Sequence, residues 1–383
     1  MTIAAVIFWA SLAGAVYTYL GYPLLLALVH RWFPRRPVPP WVELPRVSLI
    51  LAAYNEEAWI ERKLANCLAL DYPPDKLEVL VGSDGSTDRT EQLAARFADR
   101  GVRLCAFSPR RGKMATVNRL VRQATGEICV FTDISELFDP DAVQRLVAPL
   151  ADPRVGAVTG NHIYHRKRTG LGAGTALYWR FQRYLQRAES RIDSVFACDG
   201  TIYACRRDLF PYPPDDTIND DVAVPLGIIA RGRRVVFEPA AVARGEVLAQ
   251  AERFLQQKKR GQAGRYQNFA RCPALFRPWP LSRWWIFISH CVMPVVVPWL
   301  LVLVLLSNLV LAGSGQPLYV GLLIAQVLFY ALAAVGYVAE RRDWYLPPVA
   351  IPFYFVTANI GSLCGFWAFL WGRQRAAWTR VEP

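Results

Sequence analysis

Long stretches of this sequence lack charged side chains altogether. Residues 3–29 carry none, and the same holds for residues 287–338 and 345–372. A helix needs about 20 apolar residues to cross the hydrocarbon layer of a bilayer. The middle stretch is long enough for two such helices around a polar turn at residues 313–316. The sequence therefore predicts four membrane spans, one at the start of the chain and three at its end.

The first apolar stretch also lacks the features of a cleaved signal peptide. No basic residue precedes it, it is longer than a signal core, and three arginines follow it: Arg31, Arg35 and Arg36. Because basic residues collect on the cytoplasmic side of spans, we expect a retained anchor in the plasma (inner) membrane, with an external N-terminus and a cytoplasmic middle segment. Three further spans would place the tail outside, although it contains three arginines, Arg373, Arg375 and Arg380. Either the last stretch is partly re-entrant, or these arginines lie at the lipid interface.

Two kinds of binding motif are missing. None of the eight cysteines forms a C-x-x-C pair, so their spacing supports neither a zinc site nor a disulfide framework and agrees with a reducing cytoplasm. No Gly-x-Gly-x-x-Gly signature and no Gly-x-x-x-x-Gly-Lys-Ser/Thr loop follows the first predicted strand. Their absence argues against a dehydrogenase and a nucleoside triphosphatase.

Acidic residues are missing from one further segment. From Arg253 through Arg283 the sequence has eight Lys or Arg residues, both ends included, and no acid, directly before the second predicted span, in a chain of net charge +13. Such a segment can attract anionic lipid headgroups, or it can bind the diphosphate groups of a ligand. The two interpretations are compatible, and the sequence leaves both open.

Strand and helix patterns alternate through the middle of the chain. Residues 46–53 form a continuous apolar run, which is typical of a buried strand. Residues 77–82, 102–107 and 127–132 give three more strand patterns, with helical patterns between them. This alternation predicts an α/β fold with an open, mostly parallel sheet.

Acids and amides follow three of these strands. Asn55 and Glu56 come after the first, Asp84 and Asp88 after the second, and Asp133 after the fourth. Ligands of such sheets bind beyond the carboxyl ends of the strands. A single Asp at this point can simply cap a helix, which remains the favoured interpretation for Asp88. Three polar strand ends together indicate one ligand site.

These blocks resemble the family 2 glycosyltransferases, the group of the cellulose, chitin and hyaluronan synthases and many bacterial exopolysaccharide enzymes. The resemblance covers roughly residues 46–270, and it is carried by residues 53–57 (AYNEE), 83–88 (SDGSTD), 110–113 (RRGK), 131–135 (FTDIS) and 219–221 (NDD). It implies a GT-A nucleotide-sugar-binding domain. The expected divisions of the chain are an N-terminal anchor (1–30), a cytoplasmic catalytic domain (31–252), a basic interfacial segment (253–285) and a C-terminal membrane region (286–383).

The resemblance assigns the donor site. In the family the first two blocks hold the nucleotide and the basic loop lies near its diphosphate, which implies donor binding by Ala53, Asn55, Glu56, Asp84, Lys113 and Asp133. Asp133 also stands at the first position of an Asp-x-Asp motif, where Mg²⁺ or Mn²⁺ bridges the donor phosphates. Ser135 replaces the second Asp. Because a hydroxyl is a weaker ligand than a carboxylate, we expect weaker metal binding unless Glu136 or a water assists.

The resemblance also assigns the catalytic pair. Asp221 aligns with the family's catalytic base, and Asp220 precedes it. An inverting transfer needs one carboxylate that takes the proton of the acceptor hydroxyl as its oxygen attacks the anomeric carbon. We expect repulsion from Asp220 to raise the pKa of Asp221 toward neutrality.

The acceptor side is assigned to three residues. Gly200 lies in a small-residue block, 198–204, that resembles the strand lining the family's acceptor site. Gln257 and Arg260 match the Gln-x-x-Arg-Trp motif of processive members, but Gly261 stands where the tryptophan should be. Glycine offers no ring on which a sugar can stack, so we do not expect synthesis of long chains.

The resemblance implies an inverting enzyme that moves a sugar from a nucleoside diphosphate sugar, with uridine diphosphate favoured, to a saccharide or a lipid-linked saccharide in polysaccharide biosynthesis at the cell surface. A polyprenyl-phosphate glycosyltransferase and a non-catalytic nucleotide-sugar receptor remain the alternatives. Expected partners are the donor, the acceptor, the bilayer and polysaccharide export or assembly proteins. Nucleic acid is not expected, since the aromatic and basic residues at 178–187 fit an interfacial or acceptor-side helix better.

Overall fold

A computed structural model describes residues 2–34, 37–165, 170–246, 251–272, 279–342, 344 and 346–372. In chain order its α-helices are α1 (Thr2–Val16), α2 (Tyr22–Val29), α3 (Ile60–Leu68), α4 (Thr90–Ala95), α5 (Lys113–Gln123), α6 (Ala142–Val147), α7 (Gly170–Ile192), α8 (Asp220–Ala230), α9 (Ala251–Arg271), α10 (Leu281–Ile286), α11 (Met293–Ala312), α12 (Pro317–Arg341) and α13 (Pro347–Leu370). Its strands are β1 (Val47–Ala53), β2 (Leu77–Asp84), β3 (Val102–Phe107), β4 (Ile128–Thr132), β5 (Leu137–Phe138), β6 (Val155–His165), β7 (Tyr203–Arg206) and β8 (Arg234–Glu246).

The described strands form one mixed sheet in the order β3-β2-β1-β4-β7-β6-β8-β5. The first half of the sheet, β3 to β4, is parallel, as is the pair β6 and β8. Strand β7 runs antiparallel to both of its neighbours, and β5 runs antiparallel to β8. The predicted α/β fold is confirmed, and the antiparallel strands come from the second half of the domain, for which the sequence had indicated no strand order.

The parallel strands follow the predicted apolar runs closely. Every residue of β1 is buried, as expected for a central strand covered by helices on both faces. Helix α3 buries one face, whereas most residues of the covering helix α5 are buried. Side chains of β1 alternate between two core clusters, one on each side of the sheet, as the strand period of two requires.

Within the described residues, four helical stretches are long and apolar enough to cross a membrane: Ile3–Trp32, Leu281–Ala312, Pro317–Arg341 and Pro347–Leu370. This confirms the predicted number and order of spans, one N-terminal and three C-terminal, and indicates a membrane protein. The arginines used for the orientation lie partly outside the described residues, namely Arg35, Arg36, Arg373, Arg375 and Arg380.

The membrane helices pack directly on the α/β domain. Tyr22 and Leu26 of α2 belong to the core cluster that covers one face of the sheet. The Tyr22 hydroxyl donates a 2.6 Å hydrogen bond to Glu189 Oε1 of α7. Helix α13 packs against both α9 and α7, and α1 packs against α11. The domain therefore adjoins the predicted membrane region through several helices.

Candidate active site

Predicted site residues gather at the carboxyl ends of the central parallel strands. Ala53 is the last residue of β1, Asp84 is the last residue of β2, and Asp133 follows β4 directly. Lys113 is the first residue of α5 and Asp220 the first of α8. The parallel arrangement brings residues that are distant in sequence to one edge of the sheet.

Lys113 joins the donor block to the acidic pair. Its Nζ lies 2.9 Å from Asp133 Oδ1 and 3.3 Å from Asp220 Oδ2. Burial alone would lower the pKa of Lys113, but the carboxylates of Asp133, Asp220 and Asp221 raise it above its ordinary value. The ammonium group therefore stays charged among the acids, although only 24% of the Lys113 side chain is exposed.

Asp221 lies in the first turn of α8. Burial raises its pKa, and the adjacent Asp220 carboxylate raises it further, whereas Lys113 lowers it; the result is a pKa of about 7. The pKa is raised as expected, but burial contributes more than the neighbouring charge. Gly200 packs against this side chain, since a methyl group there would lie 3.4 Å from Asp221 Cβ. The structure thus brings the predicted base and the acceptor-side glycine together.

Asp84 shapes the basic loop. Its two carboxylate oxygens accept hydrogen bonds from the backbone N–H groups of Arg111 and Gly112, each at 2.8 Å. Gly112 has φ +100°, a conformation that favours glycine. The guanidinium of Arg110 stacks 3.5 Å from the centroid of the Tyr54 ring. These contacts fix the loop from which Lys113 extends, and a direct contact of Asp84 with the donor stays a prediction.

Asn55 and Glu56 connect the loops that follow β1 and β2. Asn55 has φ +54°, and its Oδ1 accepts a 2.8 Å hydrogen bond from the Thr87 N–H. The Glu56 N–H donates to Thr90 Oγ1 at 2.7 Å, and the Glu56 side chain is buried. Asp88 accepts from the Thr90 N–H at the start of α4 and from the Glu57 N–H, although the N-cap position of that helix is Arg89. These contacts hold together the two loops that follow the carboxyl ends of β1 and β2.

The predicted metal site contains one available carboxylate. The Asp133 side chain is 40% exposed, so its second oxygen can reach a ligand. Ser135 is exposed and lies 3.2 Å from Glu136 Oε1. Among the described residues, no three His, Cys, Asp or Glu side chains form a metal-binding group. One carboxylate fits a cation held mainly by substrate phosphates, which is a common arrangement for Mg²⁺.

A buried polar cluster behind Asp133 was missed by sequence reasoning. Glu136 Oε2 lies 2.7 Å from His162 Nε2, and His162 Nδ1 lies 3.9 Å from Asp199 Oδ2. Lys63 is fully buried and donates to Thr132 Oγ1 and to the Glu136 carbonyl. Burial opposes a charged His162, but Glu136 and Asp199 raise its pKa. The Glu136 carboxylate therefore contacts a histidine. The sequence held one sign of this buried cluster, namely a lysine, Lys63, on the apolar face of the first predicted helix.

Helix α9 carries the remaining predicted residues. Gln257 is exposed and Arg260 is half-buried. The helix meets the acidic block through Gly261, whose carbonyl oxygen accepts a 2.7 Å hydrogen bond from Asn219 Nδ2. The functions assigned to Gln257 and Arg260 therefore stay predictions.

A mixed sheet with this topology and a polar site at the ends of its parallel strands defines an α/β protein of the GT-A type. Residues 48–211 match the family model described as Glycosyl transferase family 2, so this part of the chain is similar to that family.

Two curated relatives and one solved structure extend the comparison. A poly-beta-1,6-N-acetyl-D-glucosamine synthase from Staphylococcus aureus is 28% identical over 242 residues, 62% of this chain and 57% of the relative. The same-named protein from Staphylococcus epidermidis is 26% identical over 202 residues, 51% of this chain and 48% of the relative. A mannosyltransferase from Pyrobaculum calidifontis, solved with GDP-Man and Mn²⁺, superposes with a TM-score of 0.74 at 27% identity over 96% of this chain and 99% of that one. The matches to the curated synthases thus span only about half of their length.

Proposed function

We propose that this protein is an inverting glycosyltransferase. It moves a sugar from a nucleoside diphosphate sugar to a saccharide or a lipid-linked saccharide, in the synthesis of cell-surface or extracellular polysaccharide. The observation that carries the proposal is the half-buried carboxylate of Asp221, with a pKa of about 7, beside the Lys113 ammonium that contacts Asp133 and Asp220. A carboxylate tuned to neutral pH next to a phosphate-binding cation is what acid–base chemistry on a nucleotide sugar requires.

Asp221 serves as the general base in this proposal. Its carboxylate takes the proton of the acceptor hydroxyl while that oxygen forms a bond to the anomeric carbon. The bond from the anomeric carbon to the diphosphate breaks on the opposite face, so the configuration inverts. Gly200 leaves room beside Asp221 for the acceptor, because it presents no side chain there.

Lys113 stabilises the leaving group in this proposal. The departing nucleoside diphosphate gains negative charge, and a fixed ammonium group in a poorly solvated site offsets that charge. The backbone of the loop that Asp84 holds orients this lysine. Asp133 would hold a divalent cation, Mg²⁺ or Mn²⁺, with Ser135 as a weak additional ligand, and a bound cation would further neutralise the diphosphate.

The membrane location follows from the four spans and the charges around them. We propose a multi-pass protein of the plasma membrane whose catalytic domain faces the cytoplasm, because Arg31 lies at the C-terminal end of the first span and the basic α9 precedes the second. The similarity to proteins named as polysaccharide synthases supports a saccharide acceptor. Export or assembly proteins would then be partners.

The test is an activity screen of membrane vesicles against uridine, guanosine and thymidine diphosphate sugars, with the mass and the anomeric configuration of the product measured. We expect transfer from one donor class, with inversion and release of the nucleoside diphosphate. Retention of configuration would contradict the assigned mechanism. Binding of a donor without transfer or hydrolysis would instead favour the nucleotide-sugar receptor.

The same screen distinguishes the polyprenyl-phosphate alternative. Lipid extracts and defined oligosaccharides are offered as separate acceptors with labelled donor. Label in a lipid that carries a single sugar on phosphate would favour the carrier-charging enzyme, whereas label in oligosaccharide supports the main proposal.

A further inference from the structure

Helix α9 contacts the segment of chain that leads into Asp221. Its contacting positions recur at helical spacing, so they lie on one face. They are Gly261, Gly264, Gln267, Asn268 and Arg271. All of them touch residues 216–219, which end two positions before the proposed base.

Asn219 is held by three of these positions. Its Nδ2 donates to the Gly261 carbonyl oxygen at 2.7 Å, and its own carbonyl oxygen accepts from Asn268 Nδ2 at 3.2 Å. A methyl group at Gly264 would lie between 2.6 and 2.9 Å from the Asn219 carboxamide. Only glycine at position 264 therefore lets the helix approach this closely.

The residues before Asn219 are held in the same way. Gln267 Oε1 accepts from the Ile218 N–H at 3.0 Å, and Gln267 Nε2 donates to the Asp216 carbonyl at 3.1 Å. Arg271 pairs with the Asp216 carboxylate at 2.6 Å. Backbone and side-chain contacts together fix the segment against α9.

Another side of α9 packs on the last membrane helix. Gly361 and Gly365 of α13 are four residues apart and lie on one face. A methyl group at Gly365 would lie 2.7 Å from Gln262 Cβ and 2.8 Å from the Lys259 carbonyl oxygen, and one at Gly361 would lie 2.9 Å from Lys258 Cβ. Two glycines at this spacing allow close packing of membrane helices.

We propose that α9 is a positioning element through which the place of the Asp221 carboxylate depends on α13. The inference rests on the proposed function, because it assigns positioning residues for that same site. Asp221 begins α8 directly after the held segment, so a shift of α9 on α13 displaces the base relative to the acceptor. A displacement of about 1 Å at a reacting group can cost about 100-fold in rate.

The test uses the full chain in lipid nanodiscs. One variant removes the side-chain contacts of α9 by combining Gln267→Ala with Asn268→Ala, and its control is Gln256→Ala, an exposed position of the same helix. A second variant, Gly365→Leu, separates α9 from α13. Its control is Gly321→Leu on α12, where a methyl group meets no atom within 4 Å. Gly361→Ala replaces Gly365→Leu if that protein does not fold.

We expect kcat to fall by about 100-fold in both test variants. The donor Kd should stay unchanged, since the predicted donor residues lie at or after the ends of β1, β2 and β4 and at the start of α5. The acid limb of the kcat profile should move to lower pH, because a displaced Asp221 is better hydrated and loses part of the burial that raises its pKa. Both controls should keep the wild-type kcat.

Three results would overturn the inference. Wild-type kcat and acid limb in the Gln267→Ala/Asn268→Ala protein would show that α9 is only a connector. Loss of kcat together with donor affinity, at an unchanged acid limb, would show general loosening of the domain. If the wild-type protein transfers no sugar, the proposed function is refuted, and this inference with it. If the wild-type protein transfers sugar and the test variants keep its kcat, only the inference is refuted.

Discussion

Burial has the largest effect on the pKa of the proposed base. The Asp221 side chain is half-buried, and its partial removal from water raises its pKa more than the adjacent Asp220 does. Lys113 acts in the opposite direction and keeps the pKa within reach of neutral pH. The position of each side chain in this small group therefore affects the protonation of the others.

Replacement of Asp221 by Asn tests its role directly. The amide keeps the shape of the side chain but cannot accept a proton, so we expect transfer to fall by about 100-fold or more. Donor affinity, measured by calorimetric titration, should stay close to the wild-type value. The control is Asp208→Asn, an exposed acid in the turn after β7. Transfer at near wild-type rate in the Asp221→Asn protein would remove the residue from this role.

The pH dependence of kcat gives a second prediction about Asp221. Because the base must be ionised, the rate at saturating donor should rise by about tenfold per pH unit below an apparent pKa of about 7 and level off above it. Asp220→Asn removes a charge that raises the pKa of Asp221, so the acid limb should move to lower pH. An unchanged limb in that variant would assign the titration to another group.

The elements that support the site depend on close approaches between backbone and side chains. Strand β8 passes Glu136 at Gly245, and the Glu136 carboxylate there contacts His162 of β6. Lys63 of α3 donates to Thr132 Oγ1 and to the Glu136 carbonyl and thereby connects the helix to the end of β4 and to the segment that follows it. The edge of the sheet behind Asp133 is thus stabilised by a polar cluster rather than by apolar packing.

Gly245→Ala tests this element. The new methyl group would lie 1.7 Å from Glu136 Oε2, so the carboxylate must leave His162. We expect a loss of about 1–3 kcal/mol in unfolding free energy, measured by denaturant titration. Gly261→Ala is the control, because its methyl group meets no atom within 4 Å. The cost of Gly245→Ala should shrink in a Glu136→Ala background, and an equal cost in both backgrounds would exclude the clash with Glu136 as its cause.

Across the whole molecule, the predicted spans and the α/β domain share contacts. Residues of α2 enter the domain core, and α13 packs on both α7 and α9. The proposed reaction centre is thus connected to helices that are apolar enough to enter the bilayer. This arrangement suits a soluble donor and an acceptor that is delivered at the membrane surface.

The structure of the whole molecule also leads to a prediction about the length of the product. Gly261 leaves open space where an aromatic ring would support a growing chain, and three C-terminal spans are few for a polysaccharide-wide pore. We therefore expect one or a few sugars per encounter, with export by another protein. Products are sized after a brief incubation with limiting enzyme. Long polymers formed while most acceptor remains unused would show processive synthesis and contradict this expectation.

The sequence by itself determined the four spans, the parallel strands of the first half and the acids at their ends, because apolar periodicity and strand-end polarity are local patterns. Tertiary structure alone decided the order of the antiparallel strands, which depends on pairing between distant segments. It also decided that Asp84 holds a loop, that Glu136 faces His162 and that α9 meets Asn219. Such contacts, and the burial that raises the pKa of Asp221, arise only when separate elements pack together, so no local pattern encodes them.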